Sequence, residues 1–511
     1  MNILKAVGSF GSLTLLSRVL GYFRDILIAV FIGTSSLADA FFVAFRLPNT
    51  FRRLFAEGTF NAAFIPIFTK LSIKNRFENF TNSVFNFLLI SLLLLTIIAE
   101  IFMGGFVFLI SPGFSNEPEK FKLATDLSRI TFPFLLFVSM SSFFSAILNS
   151  KGKFAVAAAA PIVLNIFLIF SIFFSKFYDQ SFVKSMSVAV FFAGLVQMLI
   201  LILHCRKYYI PKINLVIKFN NQIKQFFSKL LPSIFSSGVM QINILVGTII
   251  ASFQSSAVSY LYYADRIYQL PLAISGIAIG TVVLPVLSKT IISASREKVF
   301  FIQNRSIELS IFLSAPAAIG IIVGAEEIIS CLFGYGSFNE TSVFNTSNAL
   351  IIFGFGLPAF SLLKIYSNFY FARGDTKFPF QVSVFTVLTN ILISIIFFEE
   401  YGFLSIAAGT TISCWFAIFI YKYNLKVDNF HSSDRIFIER FAKIFVCSLI
   451  MGSLLYYQFF YFRDYFVSTE LIKVLYLLFI VGNSIFVYFI MSVMFKAFSI
   501  KDFKLKNYNE Q

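Results

Sequence analysis

Residues 17–70 read SRVLGYFRDILIAVFIGTSSLADAFFVAFRLPNTFRRLFAEGTFNAAFIPIFTK, and the reading of this stretch decides the fold. Two long apolar runs flank the turn-like IGTSS at 32–36 and predict a hairpin of membrane helices. Inside them lie Arg18, Arg24, Asp25, Asp39, Arg46, Arg52, Arg53 and Glu57. A charge at membrane depth costs roughly 2.5–3.5 kcal/mol on insertion scales and normally faces a bundle interior or a watery cavity. The arginines here outnumber the carboxylates, so positive charge is left over, and that excess points to a cavity that holds an anion. Arginine suits phosphate because its planar fork donates two parallel hydrogen bonds and stays charged when partly buried.

The whole chain agrees with a membrane reading. Of its 511 residues 58% are hydrophobic and only 13% charged, a balance that excludes a soluble domain and predicts an all-α polytopic membrane protein. A transmembrane β-barrel is excluded because the apolar runs do not alternate. Apolar runs fall near 7–33, 37–66, 82–111, 122–149, 154–176, 184–204, 229–252, 257–287, 304–333, 344–371, 378–398, 402–422, 437–461 and 470–496, about fourteen spans. The N-terminal run carries Arg18 where a cleaved signal would be apolar, and is read as a retained first helix.

The net charge of +16 would suggest nucleic acid in a soluble protein. Here Lys and Arg gather in alternate loops, around 70–76, 151–153, 206–229, 289–305, 373–377 and 422–443, and in the tail after Lys496. The opposite loops hold few, among them Lys120, and several are acidic. The positive-inside rule therefore places both termini in the cytoplasm, and excludes a nucleic-acid partner as the reason for the charge. Cys205, Cys331, Cys414 and Cys447 are scattered without a CxxC, and His204 and His431 stand apart, so no metal site is expected.

An internal repeat organises the spans. SSLADAFFVAFRLPNTFRRLFAEG from Ser35 aligns with SSAVSYLYYADRIYQLPLAISG from Ser255, bringing Arg46 onto Arg266. LNSKGKFAVAAAAPIVLNIF from Leu148 aligns with FARGDTKFPFQVSVFTVLTNIL from Phe371, bringing Gly152 onto Gly374 and Asn165 onto Asn390. An offset of about 220 residues covers six helices, so both copies enter the membrane in the same direction, a transporter arrangement. The division expected is a cationic six-helix lobe at 1–222, a second six-helix lobe at 223–427, and two further helices at 428–511.

Helical geometry sorts the charges. Arg18 and Asp25, seven apart, are nearly aligned, while Arg24 stands about 100° from Asp25. Asp39, Arg46, Arg53 and Glu57 form one stripe and Arg52 points away, with Pro48 expected to kink the helix between them. Asp265 and Arg266 place a second pair early in the eighth span. The structural alternative is internal pairing, Arg18 with Asp25 or Arg53 with Glu57, that only holds helices together. Asp126 and Arg129 are expected as an interfacial pair, and Glu100 has no local partner. One half is cationic and the other apolar, which suits a substrate with an anionic head and a long apolar tail.

At these residues the chain resembles a known family. SRVLGYFRD followed by ADAFFVAFRLPNTFRRLFAEGTFNAAFIPIF is similar to the MurJ (MviN) lipid II flippases, whose PN-x-x-RR-x-FAEG run is not shared by the drug-extruder branches of the superfamily. The resemblance implies two six-helix lobes in a V plus an apolar groove on helices thirteen and fourteen. It implies a substrate, undecaprenyl-pyrophosphate-linked disaccharide-pentapeptide, moved from the inner to the outer leaflet of the bacterial inner membrane. Arg18, Arg24, Arg52 and Arg266 fall on the family's cavity arginines, and Asp25, Ser17 and Asn49 lie in or beside that cavity. Asp39, Arg46 and Asp265 complete the expected set. Some members bind sodium with carboxylate help; here the eleventh span has Asn390 and no Asp or Glu before Glu399, so that site is not carried over. No cofactor is expected, and coupling to the membrane potential or to a cation is left open. The other partners expected are membrane lipids, with the chain a monomer. The alternatives are an exporter of another lipid-linked oligosaccharide, or a drug or cation antiporter, which would want acidic residues in the cavity. A membrane enzyme would want grouped carboxylates or histidines at a membrane face.

Overall fold

The computed structural model describes residues 3–55, 59–74, 76–214, 221–293, 295–463, 466 and 472–497. Within these, the side chains at 3–11, 51–55, 59, 61, 62, 229 and 231–240 lie outside the description. The described residues are helical, with no strand among them. Eleven helices or helix pairs among them are long and apolar enough to cross a membrane. The other three expected spans fall on helices at 3–32, 36–73 and 221–251.

Packing divides the chain into a first unit, Met1–Ser259, and a second, Tyr260–Gln511. The predicted boundary at 222/223 follows the sequence repeat; the packing boundary falls later because the helix at 221–251 packs on helices of the first unit.

The first unit begins with α1 (Ile3–Ile32) and α2 (Ser36–Phe55), followed by α3 (Thr59–Ile73). The span expected at 37–66 falls on α2 and α3, and residues 56–58 between them lie outside the described residues. Pro48 is accommodated inside α2. Then come α4 (Phe77–Ile101), α5 (Met103–Ile110), α6 (Pro118–Thr131), α7 (Phe134–Ser150), α8 (Phe154–Tyr178), α9 (Phe182–Cys205) and α10 (Asn221–Ala251). Pro118 opens α6 at a position whose backbone N–H would be unbonded anyway. The core is aromatic: Phe60, Phe64, Phe68, Phe80 and Phe143 are buried, and their rings meet at centroid distances of 5.2–6.1 Å. Some of the 72 phenylalanines therefore fill volume in this core.

The second unit holds α11 (Ala257–Leu272, which starts in the first), α12 (Ile279–Ser293), α13 (Arg296–Val323), α14 (Ala325–Leu332), α15 (Glu340–Phe371), α16 (Lys377–Ile396), α17 (Phe398–Tyr401), α18 (Leu404–Val427), α19 (Arg435–Tyr461) and α20 (Ile472–Met494). A π-helical turn at Ala273–Ala278 joins α11 to α12. Pro271 has no N–H to give its own helix, and Ser275 Oγ returns a bond to the Pro271 carbonyl at 2.8 Å. Asn339 caps α15 by accepting from the Ser342 N–H at 2.8 Å, and Asp434 caps α19 by accepting from the Phe437 N–H at 2.5 Å. Gly152 and Gly374, aligned by the sequence repeat, both sit in turns before helices with φ of 73° and 80°, a backbone region that favours glycine. α19 and α20 pack on each other through Leu455, Phe459, Leu477 and Ile480, together with Cys331 of α14. Their outer faces expose Tyr456, Phe460, Leu478, Phe479, Phe486 and Phe489.

Candidate functional site

The centre of the expected site is a buried cluster between α1 and α8. Arg24 and Asp25 are 7% and 2% exposed. Arg24 donates from Nε and Nη2 to Asp25 Oδ1 at 3.0 and 2.6 Å, and from Nη1 to Asn165 Oδ1 at 2.9 Å. Asn165 in turn donates from Nδ2 to the Ser17 carbonyl at 2.9 Å. The 100° between neighbours on the wheel is closed by the length of the arginine side chain. Asp25 is therefore taken by Arg24, and the alternative pairing with Arg18 does not form. Arg18 is exposed and makes no ion pair among the described residues.

Asn165 was absent from the expected site set. Its signal was present, as a polar residue in the apolar run of α8 that the repeat aligned with Asn390. Asn390 is likewise buried and accepts from Ser394 Oγ at 3.2 Å.

Asp39, expected to line the cavity, is placed as a joint instead. It is fully buried. Its Oδ2 accepts from Lys120 Nζ at 3.0 Å and the Ser256 N–H at 2.8 Å; its Oδ1 accepts from the Ser259 N–H at 2.9 Å and Ser259 Oγ at 2.5 Å. A carboxylate offers about four acceptor sites, and all are used. Lys120, expected in a solvated loop, is 4% exposed and sits over the Phe114 ring at 4.3 Å. Pairing with Asp39 is what makes burial of both tolerable.

Two further residues of the expected site lie on α2. Arg46 donates to Thr248 Oγ1 of α10, and Asn49 Nδ2 returns to the Phe45 carbonyl at 3.1 Å. The side chains of Arg52 and Arg53, and Glu57 altogether, lie outside the described residues. Asp126 and Arg129 do not form the expected pair; neither makes an ion pair among the described residues.

In the second unit Asp265 accepts from Gln269 Nε2. Arg266 donates to Tyr262 Oη at 2.9 Å and lies over that ring at 4.7 Å. A second ionic cluster was not expected. Arg305 bonds both oxygens of Glu308 and reaches Asp434 at 3.0 Å, while Arg440 reaches Glu308 at 3.4 Å. Beside it His431 Nε2 lies 2.8 Å from Asn304 Oδ1, and Asn304 Nδ2 donates to the Ser432 carbonyl at 2.9 Å. His431 lies in the loop before α19, where burial and the nearby Lys422 and Arg373 charges push its pKa down to about 4. No group of three or more potential metal ligands occurs among the described residues, and all four cysteines are free and buried.

Helices of membrane-spanning length, with arginine as the polar equipment of the first hairpin, define a polytopic membrane protein of transporter type. Residues 28–477 match the family described as "Lipid II flippase MurJ", and the chain belongs to that family. It is 34% identical over 467 residues to the "Probable lipid II flippase MurJ" of Rickettsia prowazekii (strain Madrid E), covering 90% of this chain and 91% of that one. The protein of the same description from Rhizobium tropici is 36% identical, covering 89% and 87%. Among solved structures, "Lipid II flippase MurJ, inward closed conformation" is 28% identical with a TM-score of 0.80, covering 95% of this chain and 98% of that one. An inward-facing multidrug resistance MATE family transporter, 15% identical with a TM-score of 0.68 over 83% of this chain and 98% of its own, shows a likeness of fold alone. The family expected from the PN-x-x-RR run is the family found. The chain is accordingly a multi-pass protein of the inner membrane.

Proposed function

We infer that this chain translocates lipid II across the cytoplasmic membrane by alternating access. The observation that carries the reading is Arg24, held by Asp25 and Asn165, on the same helix as the exposed Arg18. A pyrophosphate offers two anionic centres, and guanidinium forks are the donors that match them. In this reading Arg18, Arg24, Arg52 and Arg266 hold the pyrophosphate, with Asp25, Ser17 and Asn49 beside them. Asn165 joins them as a positioning residue, fixing the plane of the Arg24 guanidinium. The prenyl tail stays in lipid or runs along the exposed apolar faces of α19 and α20. Both termini lie in the cytoplasm, as the loop charges favour. The chain works as a monomer, with lobes at 1–222 and 223–427 and the tail groove at 428–511. No bond is made or broken in the substrate, and the energy comes from the membrane potential or a cation gradient.

A drug or cation antiporter is the second reading, and the excess of arginine in the first hairpin disfavours it. The test is complementation in a bacterium depleted of its resident lipid II flippase, with membrane levels measured. Growth with the unaltered chain and lysis with Arg24→Ala at equal levels is the expected result. Lysis with both would overturn the substrate assignment, and full growth with Arg24→Ala would overturn the clamp.

A further inference from the structure

A lateral recess on the first unit is not used by the transport reading. It has a volume of about 320 Å³ and is lined by Arg129, Ile130, Pro133, Val188, Phe191 and Phe192. Its walls are apolar, and Val188 and Phe192 are 41% and 47% exposed, as expected of a surface bathed by acyl chains. Arg129 is exposed there and makes no ion pair or hydrogen bond among the described residues. Glu100, in the last turn of α4, is close enough to Arg129 to interact but not to pair. Glu100 Oε1 is itself buried with no hydrogen bond among the described residues. Asp126, three residues before Arg129, is exposed and also makes no ion pair there.

Depth says what can reach this arginine. α6 and α7 together form a 33-residue span, about 50 Å long, against a hydrocarbon core of about 30 Å. Centred, the span projects about 10 Å beyond the core at each end. Arg129 lies eleven residues past Pro118, hence about 16 Å from that end and about 6 Å inside the core. An arginine side chain snorkels over such a distance to the lipid phosphates. Asp126 is about 4.5 Å nearer the membrane surface and about 60° away on the helix. From the surface inward the order is carboxylate, then guanidinium. A phospholipid with an amine headgroup presents the complementary order, ammonium outside and phosphate beneath. Arg129 and Asp126 together carry no net charge, which suits a zwitterion better than a purely anionic headgroup.

We propose that this recess is a binding site for a zwitterionic aminophospholipid, phosphatidylethanolamine in class, with its phosphate on Arg129, its ammonium on Asp126, and an acyl chain against Phe191 and Phe192. The site serves a resident lipid of that leaflet, not the transported substrate: one guanidinium matches a single phosphate diester.

The chain has one tryptophan, Trp415, which allows a local reporter. Trp415→Phe with Phe192→Trp is placed in nanodiscs containing acyl-brominated phosphatidylethanolamine or brominated phosphatidylglycerol at equal mole fraction. Quenching by the brominated ethanolamine lipid is expected to exceed that by the glycerol lipid roughly threefold or more, as a charge-assisted contact implies. Arg129→Gln is expected to remove the preference, and Asp126→Asn to narrow it. Equal quenching by the two lipids overturns the proposal, as does an unchanged preference in Arg129→Gln. Displacement of the brominated ethanolamine lipid by stoichiometric lipid II would assign the recess to the substrate and also overturn it. The comparison of the two lipids in the reporter chain stands even where Arg129→Gln fails to fold.

Discussion

Arg24 in the first unit and Arg305 in the second are both buried, and both are fastened by a carboxylate close in sequence. Their surroundings differ. Around Arg305 the charges balance, with Arg305 and Arg440 facing Glu308 and Asp434. Each of these groups sits on α13 or at the start of α19, so the cluster fastens the last helix pair to the body of its unit. Around Arg24 they do not balance. On α1 the described side chains Arg18 and Arg24 stand against Asp25 alone. A balanced buried cluster has spent its charge on the fold. An unbalanced one retains a field that an anionic ligand can use, and this difference, more than burial or pairing alone, separates a joint from a site.

The largest expected effect breaks the balanced cluster. Glu308→Ala leaves two arginines short of a partner, one of them 4% exposed. Removing one side of a buried pair costs about 3 kcal/mol. Thermal unfolding in detergent should show that loss, while flipping per folded molecule in proteoliposomes stays within about twofold. Lost flipping with unchanged stability would erase the distinction between the two clusters.

Arg24→Ala is the converse. Transport of fluorescent lipid II should fall at least about a hundredfold, the size of a lost charge-assisted contact to a buried anion. The melting temperature should change less than in Glu308→Ala, because the alanine leaves only Asp25 to be protonated or hydrated. A larger drop in stability than in transport would reclassify Arg24 as a joint.

The comparison also marks what the sequence could reveal. Helix positions were legible because long apolar runs at membrane length admit little else. The arginine excess was legible because charges stand out against such runs. Which carboxylate pairs with which arginine was not: a wheel puts Arg18 beside Asp25, but side-chain length lets Arg24 take it. Lys120 looked like a loop residue because its partner, Asp39, is 81 positions away. The second cluster was hidden for the same reason, since Arg305 and Asp434 meet across 129 positions.

Asn165→Ala sharpens the reading of Arg24. It removes the bond to Nη1 and the link to Ser17 while leaving the Asp25 pair intact. A positioning role predicts a fall in maximal transport rate of about tenfold, with lipid II affinity changed less, and partial recovery in Asn165→Asp, whose carboxylate still accepts from Arg24. Equal losses in rate and affinity for both variants would mean that Asn165 touches the substrate itself.

The smallest expected effect tests the claim that the second cluster is purely structural. His431 has a folded pKa of about 4, below the unfolded value of about 6.5. The folded chain refuses a proton that the unfolded chain accepts, so above pH 6.5 the group contributes no pH dependence. Between pH 6.5 and 4 stability is lost progressively as pH falls, and below pH 4 the loss is complete. Allowing for partial exposure, the loss by pH 4.5 is about 1 kcal/mol. His431→Gln keeps a donor for Asn304 and cannot titrate. The difference in melting temperature between pH 7 and pH 4.5 should therefore be smaller in the variant, with transport at pH 7 unaltered. An equal acid sensitivity in both chains would place the titrating groups elsewhere. A change in transport at pH 7 would give the second cluster a part in the transport cycle that its balanced charges argue against.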